Sequence, residues 1–334
     1  MTSTDNSASP RARVLAVVLS WNEHDWTERA VRSLVAQDIA TDVLVVDNAS
    51  EEDPTERFEA LGERVSVERM PSNLGVAGGR NVGLRRALEG DWGWVLIFDN
   101  DAEAAPDMVR RLMEEGDAAE RIGMVGPKIY RLDQPDVIWR VGSTSWKWTY
   151  LHLGPEVLDR IWRSAGRWPR RFLDTHRGRD QRDVGQFDTP EDVDFQIGCV
   201  QLIRTDTLRD VGLLDEDFSP YGSEDIDLCA RLRGRGWRIR YAPRANAWHR
   251  VLSSFRGSYR RTYFNTRHIL LLARKRLPAA YFWGVFVPEW LALGVPLRVI
   301  EATLHGDSDR RRAVLDAVKW NVRDAVERGR RAQG

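Results

Sequence analysis

Two acidic clusters supply the side chains in this chain that could do chemistry. Asp99-Asn100-Asp101 follows directly on the apolar run Trp94-Val95-Leu96-Ile97-Phe98, and Glu224-Asp225-Ile226-Asp227 stands where a helix is expected to begin. An apolar run of that length reads as a buried strand, so the first pair of carboxylates is delivered to the edge of a sheet. Mg²⁺ or Mn²⁺ would bind there, because these cations take oxygen ligands and keep water and substrate phosphates in their shell. Asp101 is expected in direct coordination, with Asp99 reaching a ribose or a metal-bound water. Asp225 is the candidate base for deprotonating an acceptor hydroxyl. At a helix's first turn the dipole favours its ionised form, which also weakens it as a base. Capping of that helix by Ser223, Glu224 or Asp225 is the competing explanation. The two clusters predict metal-assisted transfer from a nucleotide-activated donor, the cation neutralising a departing diphosphate.

Other residues qualify less directly. His249 follows an expected strand and could be a third metal ligand, could contact the diphosphate, or could be a satisfied structural histidine. The segment from Asn73 to Gly83 has no GxGxxG pattern, but its glycines, Gly75 among them, permit close backbone approach. Arg80 and Asn81 within it could contact nucleotide or phosphate, and a plain connecting loop is the alternative. Trp139, Trp146, Trp148, Trp162 and Trp168 lie in or just before an irregular stretch. Their indole faces could stack on a sugar ring or pin a long loop to the core, and packing is expected for most of them.

The elements that must position these groups can be read from the apolar pattern. Buried strands are expected at Arg13 to Ser20, Val43 to Val46 and Trp94 to Phe98, and an alternating one at Val65 to Met70. Helices are expected in the Val31, Leu34, Val35 stretch, at Thr55 to Leu61, up to Gly90 and from Pro106 to Glu115. Strands alternating with helices on short connections imply a parallel sheet covered on both faces. Ligands of such sheets bind beyond the carboxyl ends of the strands, where Ser20-Trp21-Asn22, Asp47-Asn48 and Asp99-Asn100-Asp101 all fall. Periodicity fades between Ser143 and Thr189, which predicts a long excursion over the site. A strand is then expected from Val193 to Ile203, helices at Thr205 to Val211 and Asp225 to Arg233, and a strand at Trp237 to Tyr241. Beyond Tyr259 the chain reads as helical.

Composition narrows the class. The chain has 334 residues, of which 42% are hydrophobic, enough for one large domain or two with a real core. Residues 1–12 are polar and are expected to be disordered, and no secretory signal is visible, so a cytoplasmic protein is expected. The two cysteines, Cys199 and Cys229, have no zinc-binding spacing and read as buried free thiols. Net charge is zero, yet residues 14–127 hold 11 Lys/Arg against 23 Asp/Glu, whereas residues 228–288 hold 14 Lys/Arg, 13 of them arginine, and no acid. Such a basic run favours phosphate or anionic lipid over a merely solvated face, and no nucleic-acid partner is expected. Leu277 to Leu297 is apolar and aromatic but interrupted by Pro288, Glu289 and Pro296. Its charge-free part is shorter than the ~18 residues a spanning helix needs, so interfacial or packed helices are expected.

With those residues in hand, the chain resembles the family 2 glycosyltransferases of GT-A fold, close to the bacterial rhamnosyltransferase-like group. The carriers are VVLSWNE (17–23), VLVVDNAS (43–50), NLGVAGGRNVG (73–83), FDNDAE (98–103) and the long segment from Asp194 to Pro243. The resemblance implies an α/β fold, a doubly wound and mostly parallel sheet with helices on both faces. Residues 13–258 would be the catalytic domain, its nucleotide-binding half 13–130 and its acceptor-binding half 131–258. Residues 259–334 would be a helical extension, expected to touch a membrane peripherally at the inner face of the cell membrane. It also implies nucleotide-sugar contacts for Ser20, Asn22, Glu23, Asp47, Asn73, Gly75, Arg80, Asn81, Asp99 and Asn100. Metal ligation falls to Asp99, Asp101 and His249, and base catalysis to Asp225 with Glu224 beside it.

The implied reaction is an inverting single displacement that moves a sugar, rhamnose or another hexose, from a nucleoside-diphosphate donor. Its acceptor would be a hydroxyl of a glycan, a lipid-linked or a small molecule, and a divalent cation, Mn²⁺ or Mg²⁺, is the expected cofactor. Two alternatives stand beside it. A sugar nucleotidyltransferase would need a glycine-rich basic loop after the first strand, where this chain has Ser20-Trp21-Asn22-Glu23. A non-catalytic carbohydrate- or partner-binding protein on the same fold would have no use for Asp99, Asp101 and Asp225.

Overall fold

The computed structural model describes residues 13–143, 177–251 and 259–331. The expected disordered N-terminus, most of the irregular excursion with Trp146, Trp148, Trp162 and Trp168, and residues 252–258 lie outside the described residues. The described chain forms two compact units, one continuing to Pro220 and resuming over Glu224–Val251, the other made of Tyr221–Ser223 and the C-terminal helices.

The first unit opens as β1 (Val14–Ser20), α1 (His24–Val35), β2 (Thr41–Asp47), α2 (Thr55–Glu59), β3 (Val65–Arg69), α3 (Gly75–Glu89) and β4 (Trp94–Asp99). It continues through β5 (Ala102–Ala104), α4 (Met108–Asp117), β6 (Ile122–Arg131), β7 (Gln134–Arg140), β8 (Gln181–Arg182), β9 (Glu191–Val193) and β10 (Val200–Arg204). Helices α5 (Thr205–Val211) and α6 (Glu224–Gly234) lead to β11 (Arg238–His249). The strands form one sheet ordered β3-β2-β1-β4-β10-β6-β11-β5. The β3-β2-β1-β4 half is parallel, β10 runs antiparallel to both β4 and β6, and β11 returns parallel to β6.

Near-continuous apolar sequence in the first strands follows from burial on both faces. Val14, Ala16 and Val18 of β1 pack with Val31 and Leu34 of α1 and Met108 and Leu112 of α4. Leu15 and Val17 point the other way, toward Leu84 of α3 and Leu228 and Leu232 of α6. Side chains alternate faces along a strand, so both alternating sets must be apolar.

Several elements differ from expectation. The strand expected from Val193 to Ile203 is two strands, β9 and β10, because the intervening residues turn across the sheet face. Gln196 is fully buried there against Gly126, where any Cβ would fall 1.9 Å from the Gln196 carboxamide carbon. β6 and β7 were not foreseen, since Gly123, Gly126, Pro127 and Pro135 break their apolar pattern. β11 extends well past Tyr241 through a register shift between Ala242 and Asn246. Pro243 lies inside that irregularity, where its missing N–H costs no ladder bond.

The second unit contains α7 (Tyr259–Arg276), α8 (Ala279–Leu304) and α9 (Ser308–Arg331). α7 and α9 pack together through a 2.9 Å hydrogen bond from the Tyr259 hydroxyl to Asp316, an Arg274–Asp324 ion pair, and Arg267 stacked 3.7 Å from the Trp320 ring centre. α8 was expected to be divided by its prolines and is continuous. A π-helical turn at Phe282–Phe286 precedes Pro288, and another at Trp290–Gly294 precedes Pro296. Each widened turn relieves the clash between a proline ring and the carbonyl four residues earlier. The resulting 26-residue helix is, by length and composition, long and apolar enough to cross a membrane, with 22% of its apolar window buried.

Candidate active site

Three strand ends converge on the acidic cluster. Asp99 closes β4, and because β10 pairs with β4 in the register Val200↔Phe98, Cys199 stands beside it, its carbonyl accepting the Asp99 amide at 2.8 Å. β11 ends at His249 opposite Ala102, and the Arg250 amide donates to the Asp101 carbonyl at 3.0 Å. These backbone pairings bring His249 Nε2 to 3.1 Å from Asp101 Oδ1 and 3.5 Å from Asp99 Oδ2. Trp139 of β7 stacks flat on the imidazole, centroids 4.4 Å apart. Burial opposes the imidazolium, but the hydrogen bonds and charges of Asp101 and Asp99 outweigh it and raise the His249 pKa to about 9.

A second cation joins the two acidic clusters. Arg80, from α3, is buried; its Nη2 lies 2.5 Å from Asp99 Oδ1 and its Nη1 3.3 Å from Glu224 Oε1. The guanidinium thus reaches a carboxylate 144 positions away in sequence while holding Asp99. Burial pushes the Asp99 carboxyl up, but Arg80 and His249 together hold it below the ordinary aspartate value. Burial likewise opposes the charge on Arg80, and Asp99, Glu224 and Asp225 overcome it.

Asp225 lies on the same side of this network. Its Oδ2 accepts the Gly198 amide at 2.9 Å and its Oδ1 the Ile226 amide at 2.8 Å. The helix start was expected to favour its ionised form. Burial instead dominates and raises its pKa, the two amides and Arg80 offsetting this only in part. Its hydrogen bonds therefore serve to hold the carboxylate against Gly198 rather than to cap α6 in the usual manner, which uses the second or third amide of the helix.

The residues expected at the nucleotide gather beyond the ends of β1 and β2, with their side chains differently engaged. Ser20 is buried, its hydroxyl 2.9 Å from Thr27 Oγ1 and its carbonyl accepting the Asn48 amide. Asn100 reaches the same threonine at 3.2 Å. Asn22 adopts a left-handed backbone (φ 58°) and accepts the Glu51 amide at 2.8 Å, so the loops after β1 and β2 are tied together. Asp47 is fully buried, accepting the Ser50 hydroxyl and pairing at 3.6 Å with Arg69. Glu23 pairs with Arg250 at 3.3 Å, which joins the β1 loop to the end of β11.

Asn73 accepts the Gly75 amide at 2.9 Å and the Asn48 side-chain amide at 3.1 Å. Gly75 has φ +72°, and a Cβ on it would fall 2.7 Å from Ser219 Oγ, so glycine is required at this entry to α3. Asn81, expected near phosphate, turns both polar atoms elsewhere. Its Nδ2 donates to the Leu214 carbonyl and Glu216, and its Oδ1 accepts the Leu214 amide at 2.9 Å.

Asp99, Asp101, His249, Arg80, Glu224 and Asp225 are thus brought into one neighbourhood, and Asn81 is not. Two residues escaped the sequence reading as parts of the site, Cys199 and Gly198, and Asn48 was placed at a strand end without a contact of its own. Cys199 Sγ lies with one ligand atom each of Asp99 and His249 inside a 4.8 Å cluster. Asn48 was visible at the end of an apolar run; Gly198 and Cys199 gain their places only through pairing of distant strands. His249 Nε2 lies near a carboxylate oxygen of each of Asp99 and Asp101, and an imidazole nitrogen with two carboxylates is a donor set of the kind that fits a divalent cation of the Mg²⁺ or Mn²⁺ type.

A sheet of this order, carrying Asp99 where β4 ends and His249 where β11 ends, is a GT-A glycosyltransferase fold. The chain belongs to glycosyl transferase family 2, whose pattern it matches over residues 16–212. It is 27% identical over 247 residues to N-acetylglucosaminyl-diphospho-decaprenol L-rhamnosyltransferase of Mycobacterium tuberculosis, covering 71% of this chain and 75% of that one. It is 33% identical over 108 residues to succinoglycan biosynthesis protein ExoO of Rhizobium meliloti, a match spanning 32% of this chain and only 30% of that protein's length. Its fold is similar to that of mannosyltransferase PcManGT from Pyrobaculum calidifontis, solved with GDP-Man and Mn²⁺, with a TM-score of 0.54, 17% identity, and coverage of 96% of this chain and 90% of that one.

Proposed function

We propose that this protein is an inverting glycosyltransferase that moves a sugar, rhamnose or another hexose, from a nucleoside-diphosphate donor to a hydroxyl of a cell-envelope glycan or its lipid-linked precursor. The observation that carries the reading is the Arg80 bridge, which ties the metal-type cluster at Asp99 to the helix start bearing Glu224 and Asp225. Asp99, Asp101 and His249 would hold Mn²⁺ or Mg²⁺, which when bound neutralises the charge that develops on the departing diphosphate.

The chain's own residues do the rest. Arg80 fixes the Asp99 carboxylate and pairs with Glu224 beside the reacting centre. Asp225 takes the proton of the acceptor hydroxyl on a carboxylate oxygen. The hydroxyl oxygen bonds to the anomeric carbon from the face opposite the diphosphate as the glycosidic bond to phosphate breaks. A carboxylate whose pKa is raised by burial is a stronger base than an exposed aspartate, which suits this step. Residues at the ends of β1 and β2, Asn22 and Asp47 foremost, would bind the nucleoside.

Lipid-linkage of the acceptor is supported by the mycobacterial relative being named for a diphospho-decaprenol acceptor and by the length and apolar character of α8, which would bring the protein to the inner face of the membrane. The purified chain, incubated with a panel of nucleotide sugars, Mn²⁺ and polyprenyl-diphosphate-linked acceptors, should give product of inverted anomeric configuration by NMR. Asp225→Asn should cut transfer by about 10²- to 10⁴-fold with nucleoside-diphosphate affinity retained. Turnover surviving in that variant would remove Asp225 from the base role.

A further inference from the structure

Cys199 is the one thiol at the acidic cluster, and its position follows from strand pairing. β10 runs antiparallel to β4, so the residue just before β10 faces the residue that closes β4, which is Asp99. Cys199 is 4% exposed, and its Sγ, an Asp99 oxygen and a His249 nitrogen all lie within 4.8 Å of one another. Metal bonds to such atoms run about 2.0–2.3 Å, so side-chain rotations of roughly an ångström bring all three onto one ion. The residues stand at the ends of three different strands, which holds their backbones in register.

We infer that Cys199 is a metal ligand, and that the centre takes a thiophilic divalent cation, Zn²⁺, Cd²⁺ or Co²⁺, through Asp99, Cys199 and His249. The inference rests on the proposed cation site and deepens it. Two donor sets then share Asp99 and His249. With Asp101 the set is oxygen-rich and suits Mg²⁺ or Mn²⁺; with Cys199 it gains a soft sulfur, which those cations bind poorly and the thiophilic ones bind well. On coordination the Sγ–H proton leaves to solvent and a sulfur lone pair forms the bond, since a coordinating thiol is deprotonated outright. A Zn²⁺ or Cd²⁺ ion so held competes with the Mg²⁺ or Mn²⁺ ion for Asp99 and His249, and transfer is inhibited by these metals.

Cys229 provides an internal control. Its sulfur sits 3.7 Å from Met124 Sδ and 3.7 Å from the Gln196 carbonyl, in apolar surroundings, and it is the only other cysteine of the chain.

The full chain, stripped with a chelator and titrated with Co²⁺, should develop a near-ultraviolet sulfur-to-cobalt charge-transfer band that saturates at one equivalent. Cys199→Ser should abolish the band and weaken Zn²⁺ binding at least about 10-fold, a loss that even outer-shell partners of a metal site can cause. Mn²⁺ affinity, followed by electron paramagnetic resonance, should not change, and Cys229→Ser should keep the band. Co²⁺ bound by the native chain without the band, or a band surviving in Cys199→Ser, would overturn the inference. Because the native spectrum needs no variant and no substrate, it separates the two readings. A band in a chain that transfers no sugar would support the ligand and sink the function, and transfer without a band would do the reverse.

Discussion

The Gly198 amide donates to Asp225 Oδ2 at 2.9 Å, and the space where a side chain on Gly198 would begin is already taken. A Cβ there would lie 3.0 Å from Asp225 Cβ and 3.1 Å from Arg80 Nη1. Glycine thus lets its amide reach the proposed base while the backbone lies close to the guanidinium that orders the acidic clusters. Gly198→Ala should displace Asp225 by a few tenths of an ångström. Since a misplacement of about 1 Å can cost 10²-fold, kcat should fall about 10-fold with KM for the donor nearly constant. Steady-state kinetics check this, and an unchanged kcat would show that the Gly198 contact does not position Asp225.

Arg80 neutralises the buried Glu224 and the partly buried Asp99 at once, so its loss removes a cationic partner from each. Breaking a buried pair by removing one member costs about 3–5 kcal/mol, and Arg80→Met should lower the unfolding free energy by that order in urea titrations. Adding Glu224→Gln to Arg80→Met should restore part of the loss, because one uncompensated charge is then removed. Additive losses would place Glu224 outside this network.

How much of this could be read from the chain depended on whether the physical cause was local. The strands β1, β2 and β4 were legible because burial on both faces demands unbroken apolar runs such as Trp94 to Phe98, and α5 fell where expected. Asp99, Asp101 and Asp225 stood out as acids at element ends, a local pattern. β6 was illegible for a tertiary reason. Its Gly123 and Gly126 interrupt the apolar run because the Thr207 and Gln196 side chains occupy the space a Cβ would need. The company of Cys199 was hidden in the same way, since it depends on the Val200↔Phe98 register across more than a hundred residues. Asn81 misled because a polar residue in a glycine-rich segment suggests a ligand contact, whereas its partner is the backbone of Leu214.

That Asn81 contact makes its own prediction. Its buried amide satisfies both the N–H and the C=O of Leu214, and each buried group left unpaired costs about 1–3 kcal/mol. Asn81→Ala should therefore destabilise the protein by about 2–4 kcal/mol in denaturant, with donor-nucleotide affinity at saturating folded protein unaltered. Loss of nucleotide binding with stability intact would return Asn81 to the ligand site.

His249 sets the pH behaviour of the metal-free chain. Its folded pKa is raised to about 9 from an ordinary 6.5 by Asp101 and Asp99, so the folded state holds the proton more tightly than the unfolded one. The stability this contributes is fully present below about pH 6.5 and is lost as pH rises through about 9, up to about 3 kcal/mol in all. In chelator-treated protein the unfolding free energy should decline across that window, and His249→Gln should flatten the decline. A metal needs the neutral imidazole, so the affinity for Mn²⁺ should rise over the same range as the proton is given up. Urea titrations at a series of pH values, with and without Mn²⁺, measure both trends. A metal-free stability that stays level from pH 6.5 to 9 would mean that the carboxylates of Asp99 and Asp101 do not share a proton with His249.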